Sequence, residues 1–174
     1  MDAILRDLKR ILDAVSEERT ERFLGAIRKT RRVFMYGVGR SGLVARMFGM
    51  RLVHLGREAT IVGDTTTPAI RQGDLLIVCS RTGQSPVLHH AVRLAHNERA
   101  QVAAVVGMPE APLALDADLV VQLPLDVAEG EPAQPMGSLF EQALHLYLDG
   151  VVLQLMSKLR RTAADMERIH SNLP

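Results

Sequence analysis

Apolar residues at Ile4, Leu5, Leu8, Ile11, Leu12 and Val15 recur at helical spacing, and Phe23, Leu24 and Ile27 resume the pattern after the charged break Ser16 to Glu21. Two helices are predicted before Lys29. The periodicity then changes to short runs rich in β-branched residues, at 31–37, 58–63, 74–80, 101–107 and 118–124. Each run is nearly continuously apolar, the pattern of parallel strands buried on both faces. Helical segments are predicted between them over 41–55 and 85–97, with a shorter one at 111–115. Strand and helix in alternation imply right-handed crossovers and an α/β fold: a doubly wound, five-stranded parallel sheet in a three-layer sandwich. Three prolines and a glycine make 124–135 a loop, 137–161 reads as a long helix, and 162–170 as a last short one.

A length of 174 residues suits one domain over 1–174, with N-terminal helices in 1–30, sheet and crossover helices in 31–124, and C-terminal helices in 136–174. With 21 basic against 20 acidic residues and 3% aromatic, neither a phosphate-backbone footprint nor a base-stacking surface is available, so no nucleic-acid partner is expected. Cys79 is the only cysteine, which excludes an intrachain disulfide and a thiolate zinc cluster and fits a reducing, cytoplasmic setting. The charged, amphipathic start lacks the features of a secretory signal. The most apolar stretch, Leu139 to Met156, is broken by Glu141, His145 and Asp149, so no membrane association is expected. A small ligand is left as the natural partner.

In such a sheet, ligands sit at the carboxyl ends of the strands, where helix N-termini offer unsatisfied N–H groups to an anion. Two loops qualify: Gly37-Val38-Gly39-Arg40-Ser41-Gly42 after the first strand and Ser80-Arg81-Thr82-Gly83-Gln84-Ser85 after the third. The first alone matches G-x-G-x-x-G, with Asp64 placed where a ribose-binding acid would stand. Three readings stay open on spacing: a small phosphorylated ligand, a dinucleotide, or structural turns. Only the first uses the hydroxyl-rich second loop, where Ser80, Thr82 and Ser85 can surround a phosphate and Gly83 lets the backbone approach.

The blocks VGRSGLVARMFGMRLVHLG (38–56), VGDTTTP (62–68), SRTGQS (80–85), QPMGSLFEQ (134–142) and IHSNLP (169–174) resemble, in order, those of the sugar isomerase (SIS) family, in particular its 6-phospho-3-hexuloisomerases. The resemblance implies a homotetramer that interconverts 3-hexulose 6-phosphate and fructose 6-phosphate through an enediolate. It implies no metal or cofactor, and a place in the ribulose monophosphate route of formaldehyde assimilation. Functional coupling to a hexulose-phosphate synthase is a candidate partnership. Another phosphosugar isomerase of the family, or a non-catalytic sugar-phosphate sensor, are the alternatives.

Carried over residue by residue, the resemblance assigns phosphate contacts to Ser80, Thr82, Gly83, Gln84 and Ser85 and a sugar-phosphate contact to Ser41, which also reads as a helix N-cap. Gly39 and Arg40 join the substrate-binding set from the first loop. Arg81 departs from the family pattern, standing where a glycine is usual; a glycine there with positive φ would make arginine costly, and its guanidinium is either a phosphate contact or solvated.

Moving a carbonyl from C3 to C2 needs one proton shuttled between carbons, and Glu141 is the candidate base, against the alternative of a solvated first-turn glutamate. His170, in the terminal block that carries the resemblance, is the second catalytic candidate, an imidazole able to assist ring opening or protonate an enediolate oxygen, acting either in its own chain or by entering a neighbouring subunit's cleft. His54, Asp64 and Thr66 are further candidates. His89, His90 and His96 show no metal-ligand spacing, and His145 is assigned to packing. Met35, Met47, Met50, Met136 and Met156 are expected to fill core gaps or subunit interfaces.

Overall fold

Strands β1 (Arg32–Gly37), β2 (Glu58–Ile61), β3 (Leu75–Ser80), β4 (Gln101–Val106) and β5 (Leu119–Gln122) form one parallel sheet in the order β2-β1-β3-β4-β5. The structure, a computed structural model, describes residues 1–108, 110–125 and 134–172; most of the loop expected at 124–135, and the last two residues of the terminal block, lie outside them. Helices are α1 (Asp2–Asp13), α2 (Glu17–Lys29), α3 (Gly39–His54), α4 (Pro86–Asn97), α5 (Pro112–Leu115), α6 (Ser138–Leu159) and α7 (Ala163–Ile169). The expected α/β doubly wound sheet is present.

Alternation of side chains along each strand feeds two cores. On one face Met35, Ile77, Cys79, Val105 and Val121 pack with Ile11, Phe23, Phe48, Leu144 and Leu148 from α1, α2, α3 and α6. On the other, Phe34, Val78, Ala104 and Val106 pack with Leu88, Val92 and Ala95 of α4 and Leu113 of α5. Because helices cover both faces, β3 and β4 read as unbroken apolar runs. β2 departs from the expectation: none of its residues is fully buried, since it is the sheet edge and no helix follows it before β3.

Helix α6 buries Leu139, Phe140, Ala143, Leu144, Tyr147, Leu148, Val151, Val152 and Leu155. The Tyr147 hydroxyl donates to Thr20 Oγ1 at 3.3 Å, and burial pushes that phenol up to about 12. Burial likewise raises the Cys79 thiol to about 12. Met35 lies in the core and Met156 packs against it, but Met136 is 95% exposed and Met47 and Met50 are also exposed, so these three fill no core gap. Met47 and Met50 join Leu43 and Val53 in an exposed apolar stripe along α3. No helix among the described residues is long and apolar enough to cross a membrane.

At the amino end of the sheet, Arg32 grips Asp74 through Nε (3.1 Å) and a terminal nitrogen (2.6 Å), and Arg71 N–H donates to the same carboxylate at 2.8 Å. The Asp74 side chain is 1% exposed, and removing it takes two charge-assisted hydrogen bonds from Arg32, which keeps the Ala69 carbonyl, and the acceptor from Arg71 N–H. Asp74→Ala is expected to cost about 2–3 kcal/mol, read as a lowered urea midpoint by circular dichroism.

Candidate active site

Strands β1 and β3 are neighbours, and their register sets Gly37 beside Cys79, so the loops that follow leave the sheet side by side. Helix α3 then packs on one face and α4 on the other. This is the topological switch point of a 2-1-3-4-5 sheet, where the crevice between diverging crossovers receives a ligand. The order differs from the 3-2-1-4-5-6 arrangement of dinucleotide-binding folds.

In the first loop the glycines serve close packing. A methyl group on Gly42 would lie 2.4 Å from the Gly37 carbonyl oxygen, so the first turn of α3 is seated directly on the end of β1. Helix α3 starts at Gly39, whose φ is +58°, with Val38 as N-cap. Ser41 is therefore not the cap expected from sequence: the chain turns into the helix two residues earlier, leaving Ser41 within the first turn and 7% exposed.

The second loop is fixed largely through its backbone. Gly83 N–H donates to Ser80 Oγ at 3.0 Å, and the Arg81 carbonyl accepts from the N–H groups of Gly107 and Met108, both at 3.1 Å. Positive φ falls on Gly83, at +64°, and not on Arg81, which resolves the doubt over an arginine in the loop. Thr82 and Ser85 are half-buried, Gln84 is exposed, and Ser85 is the N-cap of α4 without using its side chain to cap. Its hydroxyl therefore remains available to a ligand at the rim.

Glu141 arrives in the first turn of α6. Its Oε2 accepts from Arg40 Nε at 2.8 Å, with the Glu141 side chain 12% exposed and Arg40 64%. A methyl group on Gly137 would lie 2.8 Å from Glu141 Oε1 and 3.4 Å from Arg81 Nε. The bare Cα of Gly137 thus makes room for the carboxylate, with guanidiniums from both loops near it. Gln134 and Gln142 exchange two amide hydrogen bonds, at 2.9 and 2.8 Å, tying the approach to α6. The arrangement combines a carboxylate for proton transfer with cations, hydroxyls and helix N-termini for an anion.

The structure therefore brings Gly39, Arg40, Ser41, Ser80, Thr82, Gly83, Gln84, Ser85 and Glu141 to one rim. Asp64 follows β2 at the same rim, where Oδ1 pairs with Arg46 at 2.9 Å; Thr66 is exposed. His54 and His170 lie elsewhere. Their rings are 5.0 Å apart at the far end of α3, about 20 Å from Ser41 at 1.5 Å per residue. His145 pairs with Asp149 at 3.6 Å, not with Glu141. Sequence reasoning missed Gly137 and the Gln134–Gln142 pair; QPMGSLFEQ was their signal, although it gave no partners.

A family described as the SIS domain matches residues 26–147. The chain belongs to the SIS family. A 3-hexulose-6-phosphate isomerase of Bacillus subtilis is 38% identical over 175 residues, covering 98% of this chain and 95% of that one. Another, from Mycobacterium gastri, is 41% identical over 146 residues, or 82% and 73% of the two chains. A crystal structure from Methanococcus jannaschii, described as inferring a 3-hexulose-6-phosphate isomerase function, is 30% identical with a TM-score of 0.88 over 99% of this chain and 98% of that one. The SIS match runs from α2 to the middle of α6 and so includes both rim loops and Glu141. The His54–His170 contact involves a residue beyond it.

Burial, then the neighbouring His170 and Arg51, lower the His54 pKa from 6.5, against an opposing pull from Glu167. The unfolded chain thus binds this proton more tightly than the folded one. The stability contribution is complete above the unfolded value and is lost as pH falls through the folded one. Between about pH 7.5 and 5.5, the urea midpoint should fall less for His54→Gln than for the parent protein.

Proposed function

We propose that this SIS-family chain is a 3-hexulose-6-phosphate isomerase, reading 1–174 as a single SIS domain. The observation that carries the reading is Glu141 held by Arg40 over the junction of the two rim loops. Curated relatives bearing that enzyme name, at 31–41% identity, support it. The phosphate lies against Ser80, Thr82, Gly83, Gln84 and Ser85, with Ser41 and Arg40 on the opposite lip. The Glu141 carboxylate removes the proton from C2; electrons from that C–H bond form the C2–C3 double bond of the enediolate, with negative charge on O3. Return of the carbon-bound proton to C3, with the O2 proton lost and O3 protonated in exchange, leaves the carbonyl at C2 and a hydroxyl at C3. The step is redox-neutral and requires only proton traffic.

His170 serves as the oxygen-protonating group in a neighbouring subunit's site, because in its own chain it stands at the opposite rim. The exposed stripe of Leu43, Met47, Met50 and Val53 supports association of copies, for which a homotetramer is the reading. A cytoplasmic setting in the ribulose monophosphate route, functionally coupled to a hexulose-phosphate synthase, completes it.

Purified protein given 3-hexulose 6-phosphate should yield fructose 6-phosphate in a coupled assay; turnover of only another phosphosugar, or tight binding without solvent deuterium incorporation, refutes the assignment. Glu141→Gln should keep fructose 6-phosphate binding and lose about 10²-fold or more in kcat. Glu141→Gln and His170→Ala subunits, each inactive, should recover activity when unfolded and refolded together, since some sites then combine both intact residues. No recovery removes His170 from the neighbouring site.

A further inference from the structure

His89 stands in the first turn of α4 with its side chain 19% exposed. Its Nε2 lies 2.8 Å from the Gly83 carbonyl oxygen and its Nδ1 lies 2.7 Å from Asp116 Oδ2. A carbonyl and a carboxylate only accept, so the ring stands as the donor between them, oriented by Asp116 toward Gly83. The Gly83 carbonyl also accepts from Leu113 N–H at 3.2 Å. At Gly83 a methyl group would lie 2.7 Å from Ala111 Cβ. The peptide that turns the phosphate loop is thus held from behind by α5, and His89 is its side-chain hydrogen-bond donor.

We propose that His89 is a positioning residue for phosphate binding: braced by Asp116, its ring fixes the Ser80–Ser85 loop from behind through the Gly83 carbonyl. This rests on reading that loop as the phosphate site. Without this ring the Gly83 carbonyl keeps only the Leu113 N–H, so the loop loses its side-chain anchor and affinity for a phosphorylated ligand declines. From the loop, Arg81 is the charged group of the packed elements; from α5, Asp116; on α4 itself, His90, Arg93 and His96. Of these, only Asp116 is paired with His89, and His96 faces Asp118 at 3.4 Å.

The test measures KM and kcat for the isomerisation, together with Ki for inorganic phosphate, at one fixed pH. His89→Ala should raise KM and the phosphate Ki together by about tenfold, leaving kcat within about threefold. His89→Gln, which retains one donor, should recover part of the loss. Circular dichroism confirms that each variant is folded, with the Gln variant deciding the matter should the Ala variant unfold. Unchanged KM and Ki in the variants, or a fall in kcat alone, overturns the role of His89. A parent protein that binds neither phosphate nor fructose 6-phosphate instead overturns the assignment of the loop.

Discussion

Parallel pairing of β1 with β3, Gly37 beside Cys79, is the constraint on which the rest depends. The pairing aligns the ends of two strands whose following helices must depart to opposite faces, and that divergence opens a crevice no single loop could make. The close seat of Gly42 on Gly37 keeps α3 from drifting away from it. Slipping this pair by one residue would interchange the core faces of β1 and separate the two lips.

On that frame, the chemistry is assembled from remote parts of the chain. Arg40 and Glu141 are 101 residues apart, yet their side chains meet at 2.8 Å because α6 and α3 share one face of the sheet. Gly137 contributes by having no side chain, and the Gln134–Gln142 pair steadies the segment from which α6 starts. The hydroxyl loop is held mostly by its own backbone and by Ser80, with Thr82 and Ser85 half-buried within it and the Ser85 side chain not used as a helix cap.

Much of this was legible locally. The helical period of α1 and α2, the apolar runs of β1, β3 and β4 and the long apolar α6 lie within a few residues of their expected bounds, because burial on a defined face leaves a periodic trace. Strand order left no such trace, nor did the exposure of β2, which follows from its place at the edge. Ser41 was misread as a cap because a serine after glycines satisfies the local rule, whereas the turn is made by Gly39 in a left-handed conformation. His170 carries a motif but no address: its contact with His54 is a matter of tertiary packing. The service of His89 to Gly83 was equally silent, since adjacent histidines on a helix look alike in sequence.

Cys79 lies one residue before the hydroxyl loop and yet is sealed in the core, with a thiol raised to about 12. Its thiolate is vanishingly scarce at neutral pH, so thiol-directed electrophiles find nothing to modify while the sheet is closed. Alkylation of this lone thiol would therefore act as a clock for opening of the fold, and oxidative or aldehyde stress would have to unfold the protein before it could poison it by that route.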